Sequence, residues 1–375
     1  MNMSSFEHIL LYIALYSLCM LTDISNRSGK KNTAFIASIL TAFVYIFTEG
    51  LRYGRGVDYF GYGPLYLHGK STDQPVFDWL NKIILEFDMT TNGLLPYGIC
   101  FIVYAIIFIC ALFVLYRLFK YNTKGFLLLG CLATLYMTEW TIRQGVSMSL
   151  FLPAIYFLEK RKYKFAILFI LLSVLVHFGN LVSITVLVSC FFLAHKRPFS
   201  IAVTIPLYLF IQFSVDMFYP ILEKYIVMIN ISSIGGNFQS YIDHASMNFG
   251  VDGLQEEWSR SGLTQFLTTS FYCGLIVVGY YVHKIKTFGV YIYNTFVIGI
   301  IVVEPFHLLG NVTRVFLLDS ILWFVPLSIA LYNYKQIKDH KLVKCAFVLI
   351  FIYIISYWGR YVLLNPDTKY VWNIM

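Results

Sequence analysis

Apolar runs long enough, or nearly long enough, to cross a bilayer recur from the first residues of this 375-residue chain almost to its last. Lysines and arginines fall in the short intervals between them. About 20 consecutive apolar residues make one membrane-spanning helix. Hydrophobic residues are 58% of the chain and charged residues 13%, against about 25% charged in an average soluble domain. The length alone would allow two soluble domains, but the apolar runs leave no room for one. The expected fold is all-α: a polytopic integral membrane helix bundle forming a single domain, residues 1–375, with about 10–12 segments, several of them short or broken. Glu7 and His8 stand where a cleavable signal peptide would carry lysines, so the first run is expected to be a retained helix.

The basic intervals set an orientation. The net charge of +8 is accounted for by the excess of Lys and Arg in cytoplasmic loops, and no nucleic-acid partner is called for. Arg27, Lys30 and Lys31 separate spans at 6–22 and 33–49. Residues 159–164 form the strongest basic loop. Thirty residues, 165–194, are too many for one upright helix, and His177, Gly179 and Asn180 interrupt their middle. Splitting them into two short helices places His195, Lys196 and Arg197 inside, as the charge bias prefers. The remaining spans are about 97–118, 125–138, 146–158, 199–217, 263–282, 288–303, 315–334 and 345–363. Two longer outer loops lie at about 52–96 and 218–262. In the first, Phe77, Leu80, Ile84 and Phe87 recur at helical spacing, marking an amphipathic helix over 76–88 that lies on the outer membrane surface or packs on the bundle.

This topology rests on lysines and apolar runs alone. It nevertheless places Arg52, Arg55, Asp58, Glu139, Arg143, Gln144, His177, Asn180, Glu304, His307 and Arg314 on one side. Ionisable residues in membranes are expensive and usually functional, so the gathering predicts one cavity open to the outside.

The densest stretch is Glu49-Gly50-Leu51-Arg52-Tyr53-Gly54-Arg55-Gly56-Val57-Asp58-Tyr59. Its glycines allow close backbone approach, and guanidinium forks suit phosphate oxygens. It reads as an anion site at a membrane surface, or as a solvated loop with a local Arg–Asp pair. Arg143 opens a span, where it opposes the positive end of the helix dipole. It holds a phosphate or pairs with Glu139 four residues earlier. Arg314 binds an anion or snorkels. His177 serves as a base, a phosphate donor or a satisfied core residue. Asp58 and Glu304 accept a proton from a sugar hydroxyl or neutralise the arginines. The seven cysteines fall almost wholly within apolar runs and form no C-x-x-C, so neither a disulfide framework nor a zinc site is indicated. There is no P-loop, no nucleophile elbow and no H-E-x-x-H, and no outer D-x-D pair for a divalent cation.

In order along the chain, Arg52-Tyr53-Gly54-Arg55-Gly56-Val57-Asp58-Tyr59, Arg143-Gln144, His177 and Arg314 resemble the EpsG family of Wzy-like polysaccharide polymerases, of the O-antigen or capsule type. The resemblance covers nearly the whole chain. Ile142 and Gly145 flank Arg143-Gln144 where the family pattern differs slightly. The resemblance implies a GT-C-like glycosyltransferase bundle in a bacterial plasma (inner) membrane, its site facing the periplasm or exterior. It implies that undecaprenyl-pyrophosphate-linked oligosaccharide repeat units are joined, with no cofactor and no metal. Arg52, Arg55, Tyr59, Arg143, Gln144 and Arg314 would bind substrate, and Asp58, Glu304 or His177 would be the base. Partners beyond the bilayer would be a flippase and a chain-length regulator. The alternatives are a single-addition glycosyltransferase or ligase on the same carriers, and a lipid-linked sugar transporter. Against the transporter, the chain shows no two-halves repeat.

Overall fold

The apolar runs form helices in the computed structural model, and the short runs give short helices. It describes residues 3–52, 74–90, 98–139, 141–228, 260–309, 313–359, 362 and 370. Among these residues no strand occurs; one isolated antiparallel bridge joins Arg52 to Tyr370. In chain order the helices are α1 (Met3–Arg27), α2 (Lys31–Tyr45), α3 (Pro75–Thr90), α4 (Gly98–Phe119), α5 (Phe126–Glu139), α6 (Ile142–Glu159), α7 (Tyr163–Val176) and α8 (Asn180–Leu193). They continue as α9 (Ile201–Ser214), α10 (Tyr219–Met228), α11 (Gly262–Ile285), α12 (Val290–Val303), α13 (Leu317–Ser320), α14 (Phe324–Tyr332), α15 (Tyr334–Ile337) and α16 (Lys341–Trp358).

Five stretches are long and apolar enough to cross a membrane: Phe6–Arg27, Lys31–Gly50, Cys100–Phe119, Gly262–Ile285 and Lys341–Trp358. The chain is a polytopic helical membrane protein. Its outward faces agree: Phe35, Ile39 and Phe43, spaced four apart on α2, are all exposed. Such a stripe belongs in lipid rather than water. All seven cysteines are free, and Cys19, Cys100, Cys131 and Cys190 are buried.

The chain packs as two compact units. The first comprises Met1–Phe178, Leu331–Asn333 and Ile354–Met375. There α1 and α2 form an antiparallel hairpin whose turn passes through Gly29 at φ +72°, a conformation glycine adopts freely. At that end the buried Asp23 carboxylate accepts from Gly125 N–H at 2.8 Å and Tyr116 OH at 3.1 Å. It fastens α1 to the start of α5. Helices α6 and α7 meet through small residues: Ser147 and Ser173 hydroxyls lie 2.8 Å apart, and each donates to the other's backbone carbonyl. Close approach through small side chains is the usual way membrane helices pack.

At the other end of this unit α2 ends in a π-helical turn, Ile46–Gly50. A side chain on Gly50 would meet Ile102 Cα of α4 at 2.9 Å, so only glycine lets the turn lie against α4. Helix α3 is the amphipathic helix expected at 76–88. Phe77 and Ile84 are buried among Phe101 and Tyr104 of α4, Ile142 and Val146 of α6, and Val176 of α7. Its apolar face is therefore spent on the bundle, the second of the two expected placements.

The second unit comprises Gly179–Ala330 and Tyr334–Tyr353. Asn294 of α12, fully buried, donates to the carbonyls of Ala194 at 2.7 Å and Arg197 at 2.9 Å. It accepts from Phe199 N–H at 2.9 Å. One amide thus holds the backbone of the basic loop between α8 and α9. The expected span at 315–334 forms one apolar helical stretch, Leu317–Tyr332, made of α13, a 3₁₀ turn at Ile321–Trp323 and α14. Packing beside the turn is close: a Cβ on Gly299 of α12 would lie 2.7 Å from that of Asp319. The long run 165–194 is split as expected, with α7 ending at Val176 and α8 beginning at Asn180.

Candidate functional site

In the first unit the polar candidates gather where the π turn, the α5–α6 junction and the end of α7 lie. Arg52 follows the π turn directly and is 2% exposed. Its Nη1 donates to Glu49 Oε2 at 3.2 Å and its Nη2 to the Thr138 carbonyl at 2.6 Å. Its guanidinium also lies over the Phe101 ring, 4.9 Å from the centroid. Nε finds no hydrogen-bond partner among the described residues. Glu49 is equally buried, and its other oxygen accepts from Tyr12 OH at 2.7 Å. Much of the Arg52 fork is therefore committed inside the protein, to α1, α2 and α5. The π turn makes this possible by bringing residues 49 and 52 to one side of the chain; such turns often mark functional sites.

Arg143 sits half-buried on the first turn of α6, with Gln144 buried beside it. Glu139, the other half of the expected Glu139–Arg143 alternative, is the last residue of α5, and α6 begins at Ile142. A small cavity opens next to this turn, lined by Tyr45, Glu49, Arg52, Phe101, Thr138 and Ile142 among others. It has room for a water or two and not for a sugar. His177 stands in extended backbone, φ −154°, at the end of α7. The next residue, Phe178, donates its N–H to Gln74 Oε1 at 3.1 Å, tying the helix break to the start of α3. Tyr104 of α4 donates to Asn81 of α3.

In the second unit a polar group forms at the end of α12. Glu304, just past the last residue of that helix, is buried and paired with Arg260, which is about one-third exposed. Arg260 lies just before α11. Burial pushes the Glu304 carboxyl up to about 7, against the opposing pull of the Arg260 charge. His307 donates through Nδ1 to the Glu304 carbonyl at 3.0 Å. Burial and the Arg260 charge hold its imidazole down at about 4. Ser183 near the start of α8 donates to the Val315 carbonyl at 2.8 Å, next to Arg314, which is exposed. Among the described residues no three His, Cys, Asp or Glu side chains converge as metal ligands.

A family model described as EpsG family matches residues 8–372, nearly the whole chain. The chain belongs to the EpsG family. It is a family of Wzy-like polymerases, which bears out the likeness carried by the ordered arginine, glutamine and histidine motifs. No curated protein and no solved structure matches the chain.

The structure gives the sequence-based candidates of this EpsG-family chain unequal places. Arg52 is a buried anchor, Arg143 is half-buried at a helix start, and Arg314 is exposed. Arg55, Asp58 and Tyr59 lie outside the described residues. Glu304 does neutralise an arginine, but it is Arg260, to which the sequence assigned no role. Sequence reasoning also missed Glu49 as the counterion of Arg52. The available signal was the three-residue spacing from Glu49 to Arg52 at the end of an apolar run.

Proposed function

We propose that this protein polymerises a surface polysaccharide by joining undecaprenyl-pyrophosphate-linked repeat units on the outer face of a bacterial plasma membrane. The observation that carries this reading is Arg143: an arginine half-buried on the first turn of α6, in a chain of a polymerase family. A cation there opposes the helix dipole, an opposition that a bound phosphate would relieve. The positive end of α6 and the guanidinium fork favour the same phosphate oxygens.

The chemistry assigned to the residues is a displacement. A hydroxyl oxygen of the acceptor sugar attacks the anomeric carbon of the donor chain. A new C–O bond forms and the bond from that carbon to the pyrophosphate oxygen breaks. Undecaprenyl pyrophosphate leaves with the electron pair, and guanidinium groups, Arg143 first among them, stabilise the charge it gains in place of a metal. The hydroxyl proton passes to a carboxylate. Glu304 suits that task because a base poised near neutral pH combines the correct protonation state with adequate driving force. His307, held low, is neutral throughout. Arg52, Gln144, Arg55 and Tyr59 complete substrate binding, with Asp58 and His177 as the other candidate bases.

Purified protein in lipid nanodiscs, given lipid-linked repeat units, is expected to build products spaced by one repeat. A single product one unit longer would instead mark a single-addition transferase. Loss of substrate from one leaflet with no new glycosidic bond would mark a transporter.

A further inference from the structure

Residues from both ends of the chain close a ring around Arg52. The backbone of Tyr370 pairs antiparallel with that of Arg52. The Tyr370 hydroxyl is hydrogen-bonded to His8 Nδ1 at 2.9 Å. The His8 ring stands edge-on to Tyr12, centroids 4.8 Å apart. Tyr12 OH donates to Glu49 at 2.7 Å, and Glu49 receives Arg52 at 3.2 Å. Tyr370, His8 and Tyr12 are each fully buried. The bond between Tyr370 and His8 joins residues 362 apart in sequence. The Tyr370 backbone is tied to the residue that opens the chain's densest charged stretch.

We infer that Tyr370 is a positioning residue: it acts as a clasp that fixes Arg52 at the end of the π turn. Tyr370 touches no reacting atom; it acts by holding the Arg52 backbone from one side while Glu49 and Thr138 hold the side chain from the other. A group displaced by about 1 Å from its working position can cost on the order of 100-fold in rate. A clasp on Arg52 would therefore be felt in turnover. The activity arm of the test rests on the polymerase reading; the structural arm does not.

The test uses full-length protein in lipid nanodiscs with Tyr370→Ala, the milder Tyr370→Phe, and a chain ending at residue 369. Hydrogen exchange is followed in peptides spanning residues 46–52. The inference expects exchange there to rise about tenfold or more in Tyr370→Ala and in the shortened chain, with α6 and α7 unchanged. Tyr370→Phe, which keeps the ring and the backbone bridge, should rise less. Unchanged exchange at 46–52 overturns the inference. Where the wild type builds polymer, Tyr370→Ala should lower kcat by about tenfold or more while KM stays within about threefold. An unaltered kcat overturns the inference as well. A wild type that builds no polymer sinks the polymerase reading alone, and the exchange measurement still decides the clasp.

Discussion

Arg52 donates to the carbonyl of Thr138 at 2.6 Å, across 86 residues of sequence. Together with Glu49 at 3.2 Å, this contact makes a residue that looks like a ligand-binding arginine into a buried link between α2 and α5. Removing one member of a buried ion pair strands the other, at about 3–5 kcal/mol. Arg52→Met alone should therefore lower the thermal midpoint of the purified protein markedly. Arg52→Met combined with Glu49→Gln, which leaves no stranded charge and keeps an acceptor for Tyr12, should recover most of that loss. If the double variant is as stable as wild type and also fully active, Arg52 has no part in function.

Glu304 gives the activity a pH signature. Its carboxyl ionises near 7 because it is buried, so a base at this position works only above that range. Turnover should rise with pH through about 7. Arg260→Ala removes the charge that pulls the value down and should move the rising limb to higher pH. His307→Ala should leave the limb in place, because that ring is held near 4. Stability follows the opposite sign. The folded protein favours protonated Glu304, so that contribution is complete below the ordinary 4.5 and is lost as pH rises towards about 7. Glu304→Gln should flatten the stability profile over that interval; a rising limb that survives Glu304→Gln would remove Glu304 as the base.

Asn294 makes three hydrogen bonds to the loop between α8 and α9. Asn294→Ala leaves buried backbone groups unmatched, at about 1 kcal/mol or more for each bond. The thermal midpoint should fall, and trypsin should cut after Lys196 faster than in wild type. Asn294→Asp keeps the acceptor for Phe199 but not the two donors, so it should repair only part of the loss. Equal cleavage rates in all three proteins would show that the loop holds itself.

Local signals in the sequence were enough for most helices. Apolar runs marked the spans, and the amphipathic spacing of Phe77, Leu80 and Ile84 marked α3. His177, Gly179 and Asn180 marked the break between α7 and α8, since a polar cluster with glycine cannot continue an apolar helix cheaply. The partners were not legible. Arg260 and Glu304 are 44 residues apart, and His8 and Tyr370 are 362 apart; no local pattern announces such pairs. Glu49 was hidden differently, as the last residues of an apolar run whose π turn only the packing against Ile102 explains. The 3₁₀ turn at Ile321–Trp323 follows Asp319-Ser320, a polar pair inside the apolar run whose bearing on the helix shows only in the packing against Gly299. Arg55, Asp58 and Tyr59, which the sequence made central, lie outside the described residues, and their part in the site stays a proposal.

Arg143 is where the account is most exposed. An arginine on the first turn of α6 opposes the dipole by about 0.3–1 kcal/mol, so Arg143→Ala should leave stability unchanged or slightly raised. A structural arginine would behave in the opposite way. The deciding measurement is a gel of surface polysaccharide from a deletion strain carrying wild type, Arg143→Ala or Arg143→Lys. The account expects single repeat units in the deletion strain, a ladder restored by wild type, and little or no ladder from either variant, since lysine lacks the fork. A full ladder in the deletion strain would contradict the polymerase reading, and a full ladder from both variants would contradict the role given to Arg143.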